Sequence, residues 1–284
     1  MTASPRTGRI DCRDVTIQVG VGASAFDATQ NLSFCIEPNE FVCVLGPSGC
    51  GKSTLLGALA GHLGVSRGEL EVDGAPIRGP HRDRGIVFQQ HTLFDWKSVL
   101  DNVAFGLKMR GVGKAERHAL ARDYLARVGL AAHERKYPSQ LSGGMQQRVE
   151  IARALVNAPH ILLMDEPFGA LDAQTRLMMQ ELLLDVWEQR RTTVVFVTHD
   201  IDEALFLGDR LIVMASHPGR ILEELRLPFA RPRHRDLAVS GEFVGLKRRC
   251  IDLLRRTGDR QSPRARLSPL GLPNAAGEAH DPIQ

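Results

Sequence analysis

Gly46-Pro47-Ser48-Gly49-Cys50-Gly51-Lys52-Ser53-Thr54 has the G-x-x-x-x-G-K-[ST] spacing of a phosphate cradle. Glycines at 46, 49 and 51 are expected to take positive φ and turn backbone N–H groups inward on one anion. A helix starting near Lys52 adds the positive end of its dipole. On this reading Lys52 reaches the β- and γ-phosphates of a nucleoside triphosphate, and the Ser53 hydroxyl holds Mg²⁺. Asp165-Glu166 close the apolar run Ile161-Leu162-Leu163-Met164. Two carboxylates at the tip of a buried strand are costly unless something needs them. Asp165 would complete the Mg²⁺ shell, and Glu166 would face the water that attacks the γ-phosphate. A helix N-cap fits neither acid well, because Pro167 follows at once. His199 ends the apolar run 193–198. Asp200 with Glu203 reads as the N-cap and capping pair of the next helix, which leaves His199 for the γ-phosphate. Gln89 follows the short run 85–88, where its amide either bonds Mg²⁺ or the attacking water, or is a solvated loop amide.

These side chains need elements to hold them. Phe41-Val42-Cys43-Val44-Leu45 precedes the glycine loop and Leu55–Ala60 follows it, so the loop joins a strand to a helix. Short strands are predicted at Cys12–Val19, Leu32–Ile36, Glu69–Val72, Gly85–Phe88, Ile161–Met164, Thr193–Thr198 and Leu211–Met214. Turns are predicted at Pro38-Asn39, Asp73-Gly74 and 216–219. Helices are predicted at Val99–Met109, Ala115–Val128 and after Ser142, with Tyr137-Pro138-Ser139-Gln140 interrupting. Ser142-Gly143-Gly144 opens the third of these and reads either as an ordinary N-cap or as a second anion-binding helix start. Ser240–Thr257 is helix-periodic, with Phe243, Leu246, Cys250, Leu253 and Leu254 on one face. That face is expected to pack on its own domain in preference to an anionic lipid surface. From Gln261 onward proline, glycine and alanine dominate, which predicts disorder.

With 284 residues, 43% hydrophobic and 24% charged, the chain can bury a full core in one domain or two. The polar first twelve residues predict no signal peptide. No apolar run approaches the ~18 residues that span a bilayer. Five scattered cysteines (Cys12, Cys35, Cys43, Cys50, Cys250) lack metal spacing and read as reduced thiols of a cytosolic protein. Residues 226–266 hold 12 Lys/Arg against 4 Asp/Glu, a local +8 that leaves −5 on the remainder of a chain at +3. A mildly acidic body argues against a nucleic-acid partner.

In this order the motifs make the chain resemble the ATP-binding subunit of an ABC transporter. Leu141-Ser142-Gly143-Gly144-Met145-Gln146-Gln147-Arg148 is similar to the ABC signature, which other P-loop ATPases lack. Gly46–Ser53 resembles Walker A, Gln89 the Q-loop, Ile161–Glu166 Walker B, Gly169-Ala170-Leu171-Asp172 the D-loop and His199 the H-loop, over roughly residues 10–225. Several segments, among them Asp165–Asp172 and Asp101–Leu107, look like those of importers for taurine, aliphatic sulfonates and nitrate.

The resemblance implies an α/β fold, a P-loop NTPase (RecA-like) core with an antiparallel β subdomain and an inserted α-helical subdomain. The implied divisions are 1–90 for the β subdomain, Walker A and Q-loop, 91–160 for the helical subdomain, and 161–225 for the rest of the core. A basic helical extension, 226–260, and a tail, 261–284, complete the chain. ATP and Mg²⁺ are the implied ligands. Residues 46–54 (Gly46, Pro47, Ser48, Gly49, Cys50, Gly51, Lys52, Ser53, Thr54) bind the nucleotide; Ser53, Gln89 and Asp165 hold the metal; Glu166, His199, Gln89 and Lys52 are catalytic. The implied assembly is a homodimer in which Ser142, Gly143, Gly144, Gln146 and Asp172 of one copy act on the nucleotide of the other. Members of the family usually stack adenine on an aromatic upstream of Walker A. Here the aligned position is Val19, and Phe26 is the ring expected to substitute. Asp95 stands where related importers usually have proline before Trp96, in the loop expected to dock a permease helix. The implied partners are integral-membrane permease subunits and, through them, a periplasmic or extracellular solute-binding protein, with the chain at the cytoplasmic face of the membrane. The alternative class is a soluble ABC-type ATPase acting on a non-transport partner. A single cassette without sustained heptads argues against it. A nucleotide kinase would leave the signature unexplained.

Overall fold

The computed structural model describes residues 7–216 and 218–258. The chain opens on the antiparallel pair β1 (Ile10–Val19) and β2 (Phe26–Ile36), turns, and enters β3 (Phe41–Leu45), which runs through the glycine loop into α1 (Lys52–Ala60). Strands β4 (Arg67–Val72), β5 (Ala75–Pro76) and β6 (Arg84–Val87) follow, then helices α2 (Val99–Val103), α3 (Phe105–Met109), α4 (Lys114–Arg127) and α5 (Gly143–Leu155). Beyond them lie β7 (Ile161–Asp165), α6 (Ala173–Arg190), β8 (Thr193–Thr198), α7 (Ile201–Leu207), β9 (Arg210–Ala215), β10 (Arg220–Arg226) and α8 (Gly241–Gly258).

Two sheets result. The larger has the order β10-β9-β3-β8-β7-β6, parallel except for β10, which pairs antiparallel with β9. The smaller, β2-β1-β4-β5, is antiparallel. Every residue of β3, β7 and β8 is buried, as strands covered on both faces must be, so apart from Asp165 and the terminal threonines of β8 their sequences read as apolar runs. Alternation decides which core each side chain joins. Phe41, Cys43 and Leu45 face a core shared with the helices from α2 to α8, together with Leu162, Met164, Val194 and Phe196. Val42 and Val44 face α1 and the antiparallel sheet, together with Ile161, Leu163, Val195 and Val197. This is an α/β P-loop fold with an antiparallel β-sheet and an inserted set of helices.

Several expectations are corrected. Strand β2 begins at Phe26, six residues before the predicted Leu32, because its polar first half is held by pairing with β1. Strand β10 was not predicted; its R-I-L-E-E-L-R run is a partly exposed sheet edge with no strict alternation. The helix predicted over Val99–Met109 is two helices joined at Ala104. A Cβ at Gly106 would collide with the Asn157 carboxamide, so this glycine lets α3 lie against that side chain.

Helix α8 buries Phe243 and Cys250 and lays Leu246, Leu253 and Leu254 on the core. Phe243 stacks on Phe229 at 5.7 Å, Lys247 pairs with Asp202 at 2.7 Å, and Arg249 pairs with Glu223. The expectation of disorder beyond Gln261 lies outside the described residues. All five cysteines are free thiols. Among the described residues no helix is long and apolar enough to cross a membrane.

Candidate nucleotide site

The glycine loop leaves the C-terminal end of β3, at the centre of the parallel sheet. Gly49 (φ 77°) and Gly51 (φ 85°) are left-handed, as a loop that turns its amides inward requires. Gly46 departs from expectation: it is not among the positive-φ glycines, and space is its reason. A Cβ there would lie 2.6 Å from Cys50 Sγ and 2.9 Å from the Met214 carbonyl. A Cβ at Gly51 would strike the Thr29 methyl, so β2 packs directly against the loop. Lys52 is buried, and its ammonium donates to the carbonyls of Gly46 (2.7 Å) and Pro47 (2.9 Å).

The three strands beside β3 present the remaining candidates. Asp165, the last residue of β7, is 7% exposed. Burial pushes its carboxyl above the usual carboxylate range, and Glu166 adds to this; a bond from the Ser53 hydroxyl and the Lys52 charge oppose it. Its Oδ1 is buried without a hydrogen-bond partner. Glu166 takes φ 45°, an uncommon conformation for a non-glycine residue, held by its N–H on the Val197 carbonyl (3.0 Å) and by the Gly169 N–H on its own carbonyl (3.1 Å). This turn aims the carboxylate at two neighbours. Gln89 Nε2 donates to Oε2 at 3.2 Å, and His199 Nδ1 lies 3.1 Å from Oε1. Gln89, Glu166 and His199 follow β6, β7 and β8, neighbours in the sheet, so parallel order brings them to one carboxylate. Ligands of open α/β sheets bind along this edge.

Asp200 caps α7 as expected, accepting from the N–H groups of Asp202 (2.8 Å) and Glu203 (3.2 Å). Glu203 does not complete a capping box. Its carboxylate turns inward, 7% exposed, and accepts from the Thr198 hydroxyl at 2.8 Å and Gln180 Nε2 at 3.3 Å.

The signature segment lies elsewhere on the chain. Ser142 is the N-cap of α5, accepting from Met145 N–H at 3.3 Å. A Cβ on Gly144 would lie 3.2 Å from the Ala170 carbonyl, and one on Gly143 would lie 3.5 Å from His91 Nε2. Gln146 turns its amide back to the Pro138 carbonyl at 2.9 Å, bracing its own loop. Asp172 caps α6 through Thr175 N–H at 3.0 Å, and that bond holds its carboxyl below the usual range. Among the described residues no hydrogen bond or ion pair joins Ser142, Gln146 or Asp172 to the glycine loop.

Phe26 is 60% exposed and pairs in register with Val19. It lies two positions before Ala28, whose carbonyl abuts Gly51, so both residues are on one face of β2. Trp96 is 74% exposed, whereas Phe94 is wedged between Trp96, Phe105 (4.7 Å between centroids) and the Arg153 guanidinium. A cavity of about 440 Å³ lies alongside, lined in part by Phe88, Phe94, Phe105, Met109 and Arg153. Sequence reasoning missed Asn102. Fully buried, it bonds Phe94 N–H and the carbonyls of Phe94, Lys97 and Ser98, and so shapes this loop; nothing in the Asp101-Asn102 pair between Leu100 and Val103 marks which of the two is the buried one.

A glycine loop on the central parallel strand, a buried strand-end aspartate and a neighbouring strand-tip glutamate define a P-loop nucleoside triphosphatase. Comparison narrows the class. The ABC transporter family model matches residues 29–169. An uncharacterized ABC transporter ATP-binding protein of Methanocaldococcus jannaschii is 49% identical over 228 residues, 80% of this chain and 84% of the relative. A taurine import ATP-binding protein of Chromobacterium violaceum is 48% identical over 240 residues, 83% of this chain and 92% of the relative. A solved dimeric bacterial ABC transporter cassette, also seen in a post-hydrolysis state with ADP and Pi, superposes with a TM-score of 0.72 at 35% identity, over 78% of this chain and all of that one. The chain belongs to the ATP-binding proteins of ABC transporters, and it is an ATPase.

Proposed function

We propose that this ATPase powers import of a small anion, taurine or a related sulfonate before nitrate, as the energising subunit of a membrane transporter. The observation that carries its chemistry is the meeting of Gln89 and His199 on Glu166 beside the Lys52 loop. On binding ATP, the Lys52 ammonium exchanges the Gly46 and Pro47 carbonyls for β- and γ-phosphate oxygens. Glu166 orients water and takes its proton, Gln89 positions that water, and His199 contacts the γ-phosphate. The orphaned Asp165 Oδ1, the adjacent Ser53 hydroxyl and the Gln89 amide form a hard-oxygen donor set that suits Mg²⁺. When bound, Mg²⁺ supplies charge neutralisation to the phosphates.

Two copies pack head to tail, so that Ser142, Gly143, Gly144, Gln146 and Asp172 of one lie over the nucleotide of the other. The dimeric state of the related cassette supports this assembly. The permease docks at the Phe94–Trp96 loop on the cytoplasmic face of the membrane, and a solute-binding protein outside delivers the cargo. The taurine import proteins among the relatives support the substrate reading. Residues 1–90, 91–160 and 161–225 then act as the three working parts of the cassette, with 226–260 as an extension and 261–284 as a tail.

Uptake of labelled taurine by cells of the source organism should depend on this chain. Trp96→Ala should abolish most of it by weakening permease association by at least ~2 kcal/mol, while the cassette stays folded because the indole is largely exposed. Taurine uptake unchanged by deletion of the chain would refute the substrate, and unchanged pull-down of the permease by the variant would refute the docking loop. On the adenine side, Phe26→Ala should weaken ATP, but not inorganic triphosphate, by roughly the 1–3 kcal/mol of a stacked ring. Equal losses on titrating both ligands would remove Phe26 from the site.

A further inference from the structure

Behind the site a polar network joins two loops that are separate in sequence. Arg176, in the first turns of α6, donates from Nη2 to the Leu171 carbonyl at 3.2 Å, within the segment Gly169-Ala170-Leu171-Asp172. Its Nε is buried and makes no hydrogen bond, and lies 3.8 Å from Glu203 Oε1 on α7. Its Nη1 lies 3.8 Å from Asp200 Oδ2. Glu203 in turn accepts from the hydroxyl of Thr198, whose oxygen takes the Asp200 N–H at 3.0 Å. Thr198 and Asp200 flank His199, which meets Glu166. Each step from Leu171 to the catalytic carboxylate is thus a named contact.

Two features make this network more than packing. A carboxylate 93% removed from water needs a counter-charge, and Arg176 is the cation facing it; burial accordingly pushes Glu203 above the usual carboxylate range, with Thr198 and Arg176 opposing. Moreover, 3.8 Å exceeds the 2.7–3.2 Å of a hydrogen bond, so the guanidinium is committed to Leu171 while its Nε–H still faces the carboxylate. A small displacement of residues 169–172 would free the fork to close on Glu203 and pull on Thr198. Such a choice between two arrangements is what a coupling element requires.

We propose that Arg176 and Glu203 are positioning residues that transmit the state of the 169–172 loop, which faces the partner copy's nucleotide, to His199 in their own copy, and so couple the two ATP sites. This rests on the dimer reading above. With the purified full-length chain, ATP hydrolysis measured against ATP concentration should give a Hill coefficient between 1 and 2. Arg176→Gln and Glu203→Gln should each bring it to about 1 and lower kcat by roughly 3- to 30-fold, with the ATP dissociation constant from fluorescent-nucleotide titration held within about twofold. The double variant should be no worse than the poorer single one, since both break the same link. Should Arg176→Gln unfold, Arg176→Lys, which keeps the charge but not the fork, takes its place. A wild-type Hill coefficient of 1 in a chain that still dimerises with ATP on size exclusion would overturn the coupling alone, and the absence of any ATP-dependent dimer would overturn the dimer reading with it. Cooperative wild type with equally cooperative variants, or losses that multiply in the double variant, would overturn the coupling alone.

Discussion

Glu166→Gln is expected to bind ATP as wild type does and to hydrolyse it about 10²–10⁴-fold more slowly, the usual worth of a general base. The reasons are geometric. Lys52 and the left-handed glycines, which would carry the phosphates, make no contact through the Glu166 side chain, so binding should survive. The carboxylate is where Gln89 and His199 meet, and an amide of the same size can keep one of those contacts but cannot take a proton from water. With hydrolysis blocked, the variant should accumulate as an ATP-bound dimer, visible as a shift in size-exclusion elution on adding ATP and Mg²⁺. Near-wild-type turnover would remove Glu166 from the base role. Slow turnover with weakened nucleotide binding would point to a structural part for the φ 45° turn in place of a chemical one.

What was legible in the sequence follows from how local each feature is. The glycine loop, the acidic strand end and the strand-tip histidine are short-range patterns, and β3, β7 and β8 announce themselves because strands buried on both faces have apolar interiors. The first half of β2 and most of β10 mix polar with apolar residues and are largely exposed or half-exposed, so what makes them strands is the neighbour they pair with. Long-range polar pairings were equally hidden. Nothing local says that Gln89 finds a partner 77 positions away in Glu166, or that Glu203 turns inward to Thr198 and not back to its helix start. Asn102 and Gln146 show the same limit. Each is a polar residue whose partners are backbone carbonyls of its own loop, and only folded geometry identifies them.

The sharpest consequence of the dimer reading concerns residues that lie apart within one chain. Lys52 serves the nucleotide of its own copy, and Ser142 that of the partner. A mixed dimer carrying Lys52→Ala in one copy and Ser142→Arg in the other therefore gathers both lesions into one site and leaves the second intact. Its activity should be about half that of wild type or less but well above either homodimer, in which both sites are damaged. Each homodimer should lose activity by more than 10²-fold, because a phosphoryl-transfer site works almost entirely by positioning and charge stabilisation. Ser142 also caps α5, so its loss should cost ~1 kcal/mol of stability, a few degrees in Tm. Thermal unfolding of that homodimer therefore accompanies the assay, and a much larger drop would mean the activity loss reports unfolding. The decisive comparison uses tagged, co-purified mixed dimers scored for both hydrolysis and ATP-dependent assembly. An inactive mixed dimer that still assembles with ATP would show the two sites to be strictly coupled. An inactive one that no longer assembles would rule out a site shared between Lys52 and the partner copy's signature segment.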